Sequence, residues 1–168
     1  MASNISSRDK GGVDLKVKVN INISELSKIN EVEDKKTLVL VGGCFDILHP
    51  GHIAFLIEAK KYGTLVILLE SDKSIKKRKG DNRPVNTMSV RANNLLTKTQ
   101  ANIVIQLPFP FTDHDYDELV TKIKPAIIAT TKGDPDIHHK KRQANLINSK
   151  VIEVIARLAD HSTTNILK

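Results

Sequence analysis

The run Gly42-Gly43-Cys44-Phe45-Asp46-Ile47-Leu48-His49-Pro50-Gly51-His52 gathers more residues able to do chemistry than any other stretch of this sequence. His49 and His52 are three residues apart, a spacing that puts both imidazoles on one side of a helix's first turn. Pro50 suits that turn, because its missing N–H has no intrahelical partner to lose there. A helix N-terminus carries unpaired backbone donors and partial positive charge, so two imidazoles beside it make a place for a phosphate. Gly42 and Gly43 let a ligand approach the backbone with no Cβ in the way. The blander reading is a pair of histidines that caps and decorates a helix. Gly-Gly, Phe-Asp and His-Pro-Gly-His in direct succession after an apolar run weigh against it. No Glu or third close His completes a metal set, and Cys44 is the single cysteine, so no protein-held metal is expected.

Positive charge is the second signal. Residues 72–83 hold six Lys or Arg against two acids, and residues 132–142 hold a net charge of +2, out of +7 for the chain. Nucleic-acid tracks combine such charge with aromatic stacking residues or a long basic helix. Here the basic residues lie in two short Gly- and Pro-containing segments without aromatics, which favours a small phosphorylated ligand and no specific nucleic acid. Arg83, just before Pro84, and Arg91 offer the forked grip of guanidinium on phosphate. A surface ion pair is the alternative for Arg91, and Lys73, Lys77 and Arg78 read as solvated charge. Ser162, Thr163 and Thr164 precede an apolar turn, so one of them caps a helix. His114, Asp115 and Asp117 read as a solvated helix start. His138 and His139 are adjacent, so they should point in different directions.

Elements that would position these residues follow from the apolar pattern. Residues 1–12 are polar and read as a disordered tail, and 13–36 as an extension with a short edge strand (13–23) and a short helix (24–33) capped by Ser24. The core, 37–168, alternates strand and helix. TLVLVGG (37–43), TLVILLE (64–70), NIVIQL (102–107), PAIIAT (125–130) and KVIEVI (150–155) are five apolar strands. Helices are expected near 53–63, with Ile53, Leu56, Ile57 and Lys60 on one face, and at 87–98, 115–123 and 135–148. Residues 71–86 read as a basic loop, and STTNILK as the start of a last helix. This is the doubly wound α/β class with a parallel five-stranded sheet.

Composition narrows the rest. A length of 168 residues fits one domain with a real core, and 40% hydrophobic with 27% charged residues excludes a disordered chain. No apolar stretch reaches the roughly 18–20 residues of a membrane span. The N-terminus has no apolar signal core, so a cytoplasmic protein without membrane contact is expected.

GGCFDILHPGH resembles the HxGH signature of the cytidylyltransferase-like nucleotidyltransferases. SDKSIKKRKGDNRPVNTMSVR is similar to that family's lysine-containing loop and following arginine, and DHSTTNILK to the Ser-Thr-Thr motif opening its last helix. Within the family, the nearest likeness is to the adenylyltransferase domain acting on heptose 1-phosphate. Its lead-in also resembles INISELSKINEVEDKKTLVLVGG, so the likeness runs over residues 21–168. Two departures stand out: Gly42 where the heptose domain has Asn, and Thr131-Lys132-Gly133-Asp134 where it has Lys-Gly-Gly-Asp. Both bear on the acceptor and base pockets.

The resemblance implies a Rossmann-like nucleotidyltransferase fold. It also implies attack by an acceptor phosphate oxygen on the α-phosphorus of ATP or CTP, with release of pyrophosphate. His49, His52 and Lys79 would be catalytic. Gly43, Cys44, Phe45, Arg91, Asp134, Ser162, Thr163 and Thr164 would join the two histidines in binding the nucleotide, although packing is the favoured reading of Phe45. Lys76, Lys79 and Arg83 would face the acceptor, and Asp46 would orient the loop or contact the acceptor. Magnesium would come with the triphosphate, and no organic prosthetic group is implied. The acceptor would be a sugar 1-phosphate; glycerol 3-phosphate, a phosphoalkanolamine or flavin mononucleotide are alternatives, as is a non-enzymatic nucleotide- or RNA-binding module. A homodimer is implied. Because only about 36 residues precede the first core strand, a separate sugar kinase is expected rather than a fused one.

Overall fold

Strands that are apolar on both sides of the pleat need cover on both faces, which a parallel sheet receives from its crossover helices. The computed structural model describes residues 18–32 and 37–156. Within them, β1 (Val19–Asn22), β2 (Leu38–Gly43), β3 (Thr64–Leu69), β4 (Ile103–Gln106), β5 (Ile127–Lys132) and β6 (Lys150–Ala156) form one sheet. Its order is β1-β4-β3-β2-β5-β6, with every pair parallel. The helices are α1 (Lys28–Val32), α2 (Pro50–Lys60), α3 (Asp72–Lys79), α4 (Met88–Lys98), α5 (Asp113–Ile123) and α6 (Ile137–Leu146).

Alternate residues of each central strand serve opposite faces. Val39, Val41, Leu65, Ile67 and Leu69 pack with Leu56 and Ala59 of α2 and Ala92 and Leu95 of α4. Leu40, Val66, Leu68, Ile103, Ile105 and Ile128 pack with Leu119, Val120 and Ile123 of α5 and Ala144 of α6. Each large side chain so buried contributes about 1.5–3 kcal/mol relative to exposure.

The chain runs from β2 to β3 and β4 on one side, then from β5 to β6 on the other. The β2–β5 ladder registers only at Val39↔Ile127 and Leu40↔Ile128, so the strands part beyond it. Such a reversal of strand order opens a crevice at the carboxyl ends, where ligands bind in open α/β sheets. β2 delivers Gly42 and Gly43 to that place. The turn bringing α2 back into β3 depends on Gly63, where an added Cβ would lie 2.1 Å from the Thr37 carbonyl oxygen.

The sheet has six strands rather than five. The alternation in VKVNINI yields β1, an edge strand in register with β4 from Val19↔Ile103 to Asn22↔Gln106. Ile21 is its one buried residue. The segment read as an extension is therefore partly built into the sheet. After β1 comes a 3-10 turn (Ile23–Glu25) before α1, in place of one helix from Ser24. The Glu25 carboxylate accepts the Asn22 backbone N–H at 2.9 Å, which sets the start at Asn22. On α2 the buried positions are Leu56 and Ala59, while Ile57 is 40% exposed. The larger difference is α3, which occupies the stretch read as a basic loop. Ser71 caps it by accepting the Ser74 N–H, Asp72 sits in its first turn, Lys76 to Lys79 crowd its last turn, and Gly80 ends it at φ 99°. Charges so ordered complement the helix dipole. Residues 1–12 and the expected last helix lie outside the described residues. Among the described residues no helix is long and apolar enough to cross a membrane.

Candidate active site

His49 stands at the N-cap of α2 in extended backbone, and its Nδ1 accepts the His52 backbone N–H at 3.3 Å. A ring nitrogen that accepts carries no proton, so the imidazole proton of His49 resides on Nε2. The His49 and His52 rings stack, with centroids 3.7 Å apart and planes 20° from parallel. Phe45 joins the cluster, its ring centroid 5.1 Å from that of His52 and its plane tilted by 59°. Phe45 is buried and adopts φ 42°, an uncommon conformation for a bulky residue and one that collects at functional loops. A Cβ on Gly43 would meet the Phe45 ring at 3.0 Å, whereas one on Gly42 would have room. Gly43 thus makes space for Phe45, while position 42 has room for a Cβ.

Burial chiefly disfavours the charged form of His52, and the repulsion it would meet were His49 also protonated adds to this. The backbone at Ile47 opposes them, Lys79 reinforces them, and the result is pushed from 6.5 down to about 4. At neutral pH His52 is uncharged, and its Nδ1 is buried without a hydrogen-bond partner. Lys79, at the last turn of α3, crosses 35 residues of sequence to donate from Nζ to the Cys44 sulfur at 3.2 Å. The structure thus brings Gly43, Cys44, Phe45, His49, His52 and Lys79 to one loop.

Several residues expected at the ligand also have partners within the protein. Asp46 is 1% exposed, and its carboxylate accepts from Arg83 Nε at 2.8 Å and from the Val85 and Asn86 backbone N–H groups at 2.9 Å each. Burial alone would raise the Asp46 pKa; the Asn86 and Val85 donors and the Arg83 guanidinium overcome it and hold the carboxyl below its ordinary value. Arg91 is fully buried, so neither a surface ion pair nor direct phosphate contact describes it. It donates to the carbonyls of Asn86 (3.1 Å), Cys44 (2.7 Å) and Glu70 (2.8 Å) and to the Asp72 carboxylate (2.6 Å). Asp134 accepts from the Thr130 hydroxyl, from Lys140 Nζ at 2.6 Å and from the Asp136 backbone N–H at 2.9 Å. Lys76 is exposed and lies 3.4 Å from the Asp81 carboxylate. Ser162, Thr163 and Thr164 fall outside the described residues.

Sequence reasoning missed Asn86. Its Nδ2 donates to the Asp46 carbonyl at 2.8 Å while its own N–H and carbonyl serve Asp46 and Arg91. An Asn in a Pro-containing loop gives no warning of this; only the fold brings residue 86 to residue 46.

A model of the cytidylyltransferase-like family matches residues 40–168, which include this loop, α3 and the sheet's switch point. The chain belongs to the cytidylyltransferase-like nucleotidyltransferases. Among curated relatives, the bifunctional protein HldE of Campylobacter fetus subsp. fetus is 35% identical over 159 residues, 94% of this chain and 32% of that protein. The HldE protein of Helicobacter hepaticus is 34% identical over 149 residues, 87% of this chain and 29% of that one. The chain spans about a third of the length of these relatives. Among solved structures, a lipopolysaccharide core biosynthesis protein from Thermoplasma volcanium aligns with TM-score 0.57 and 25% identity, covering 76% of this chain and all of that one. A pantoate-beta-alanine ligase from Francisella tularensis aligns with TM-score 0.60 at 13% identity, covering 90% of this chain and 76% of that one; it shares the fold.

Other polar clusters of this cytidylyltransferase-like chain do structural work. Asp115 closes a capping box with Thr112 at the start of α5, and Asp117 pairs with Arg142 at 2.9 Å. The His138 and His139 rings come within 4.0 Å of each other instead of diverging. Among the described residues no group of three or more His, Cys, Asp or Glu side chains could hold a metal ion.

Proposed function

We propose that this nucleotidyltransferase moves a nucleoside monophosphate from ATP or CTP to a sugar 1-phosphate of the heptose 1-phosphate kind, releasing pyrophosphate. The observation that carries the reading is the stacked His49–His52 pair at the N-terminus of α2, with Lys79 brought to the same loop. An acceptor phosphate oxygen forms the new bond to the α-phosphorus, and the bond from that phosphorus to the bridging oxygen of the β-phosphate breaks. Charge gathers on the α-phosphoryl oxygens and on the departing pyrophosphate. No covalent enzyme intermediate is needed, so the protein's contribution is positioning and preorganised donors. His49 offers its Nε2–H. His52, neutral beforehand, gains affinity for a proton once phosphate charge lies against it. Lys79 supplies positive charge, and Cys44 and Phe45 shape the wall of the nucleotide pocket.

Ser162, Thr163 and Thr164 would bind the β- and γ-phosphates, and Asp134, at the end of β5, would line the base pocket. Lys76 would assist at the acceptor, where Asp46 and Arg83 act by fixing the loop. Magnesium would arrive on the triphosphate, since it prefers phosphate oxygens and water, and would neutralise the charge on the leaving pyrophosphate. The sugar 1-phosphate is favoured by the motif likeness to the heptose domain and by the likeness to the lipopolysaccharide core biosynthesis protein of Thermoplasma volcanium. The family's own description, cytidylyltransferase-like, keeps CTP as the second donor.

The test is pyrophosphate release with ATP and with CTP, each against heptose 1-phosphate, glycerol 3-phosphate, a phosphoalkanolamine and flavin mononucleotide. Release dependent on the sugar 1-phosphate supports the reading. Release with another acceptor reassigns the substrate, and none with any pair overturns the activity.

A further inference from the structure

Arg91 lies on α4, one helix away from the histidines, and no part of it is exposed. A buried guanidinium is costly unless its donors are used. Here four of its five N–H groups are used in three segments: on the Cys44 carbonyl in the β2–α2 loop, the Glu70 carbonyl and Asp72 carboxylate at the β3–α3 junction, and the Asn86 carbonyl before α4. Cys44 begins the turn that sends Phe45 to positive φ and leads to His49. Glu70 and Asp72 flank Ser71, the N-cap of α3, and α3 ends in Lys79, which returns to the Cys44 sulfur. Asn86 completes the tie by gripping Asp46 through both backbone and side chain.

We propose that Arg91, with Asn86, is a positioning residue for nucleotidyl transfer: one guanidinium fixes both the loop that carries the histidines and the helix that carries Lys79, without touching the nucleotide. The separation of the imidazoles from the lysine is then set from below the site. Loosening it should slow the chemical step more than it weakens nucleotide binding, because small misplacements of donors at a transition state are costly.

The test uses Arg91→Lys and Asn86→Ala in the full chain with two readouts. The first is the rate at which iodoacetamide alkylates Cys44, the chain's single cysteine, which reports the loop with no turnover required. The second splits kcat from KM for the nucleotide; it rests on the proposed activity, and the first does not. Both variants should alkylate at least about 3-fold faster than wild type and lose about 10-fold or more in kcat, with KM within about 3-fold. An unchanged alkylation rate, or a loss carried by KM at constant kcat, overturns the inference. If Arg91→Lys fails to fold by circular dichroism, Asn86→Ala decides on the same criteria, since it removes one side-chain bond only. If wild type is inactive with every substrate pair, the proposed function fails while the alkylation rates still decide the positioning role.

Discussion

His52 carries the sharpest electrostatic signature in the site, because the fold keeps it neutral. Its folded pKa lies below the unfolded value, so the unfolded chain binds more protons between the two. The associated stability is complete above pH 6.5 and is lost as pH falls toward 4, where the loss reaches roughly 3 kcal/mol. Asp46 and Asp134, both held below 3.8, lose their contributions only at still lower pH, which separates the windows. Urea unfolding of wild type and His52→Asn at pH 7 and pH 4 measures this: wild type should lose more stability across the interval, and parallel losses would contradict it. For turnover, His52→Ala should fall at least about 10²-fold with the fold retained, since a donor to developing charge is removed from a helix end. Near-normal turnover in a folded variant would remove His52 from the chemistry. The pair was legible in the sequence because three-residue spacing is a local property. The inward turn of Arg83 and Arg91 was not, since a guanidinium's partner depends on which distant carbonyls the fold brings to it.

Among the elements, α3 shows how a helix hides in a charged segment. Apart from Ile75 it has no apolar residue to reveal periodicity, so the run looks like a loop. The signals that were present are the capping ones: Ser71 three residues before Ser74, and Gly80 at the far end. The helix gives its lysines different fates. Both Lys77 and Lys79 are exposed, but Lys79 reaches the Cys44 sulfur. Lys79→Ala should therefore lower kcat/KM at least about 10-fold more than Lys77→Ala does, measured by pyrophosphate release. Equal losses would mean that α3 supplies diffuse charge only.

Taken together, the molecule is a parallel sheet whose order reverses beside β2, with the motif loop at the reversal. Five of its strands were readable from apolar runs bounded by Gly, Pro and polar turns. β1 escaped the strand count because a strand at the edge buries one residue, Ile21, and its alternation reads as an appendage. Ile21 nonetheless joins the core of the sheet face covered by α5 and α6. Ile21→Ala should cost roughly 2–4 kcal/mol by urea unfolding, and a loss below about 0.5 kcal/mol would make β1 dispensable. The event proposed for this arrangement is attack by an acceptor phosphate oxygen on the α-phosphorus. That event is tested most directly by supplying heptose 1-phosphate with oxygen-18 in its phosphate, together with ATP or CTP, and reading products by mass spectrometry. The label should appear in the bridge between the sugar phosphate and the transferred nucleoside monophosphate, with none in pyrophosphate. Free nucleoside monophosphate or nucleoside diphosphate released in place of pyrophosphate would put the attack at the β- or γ-phosphorus and contradict the mechanism.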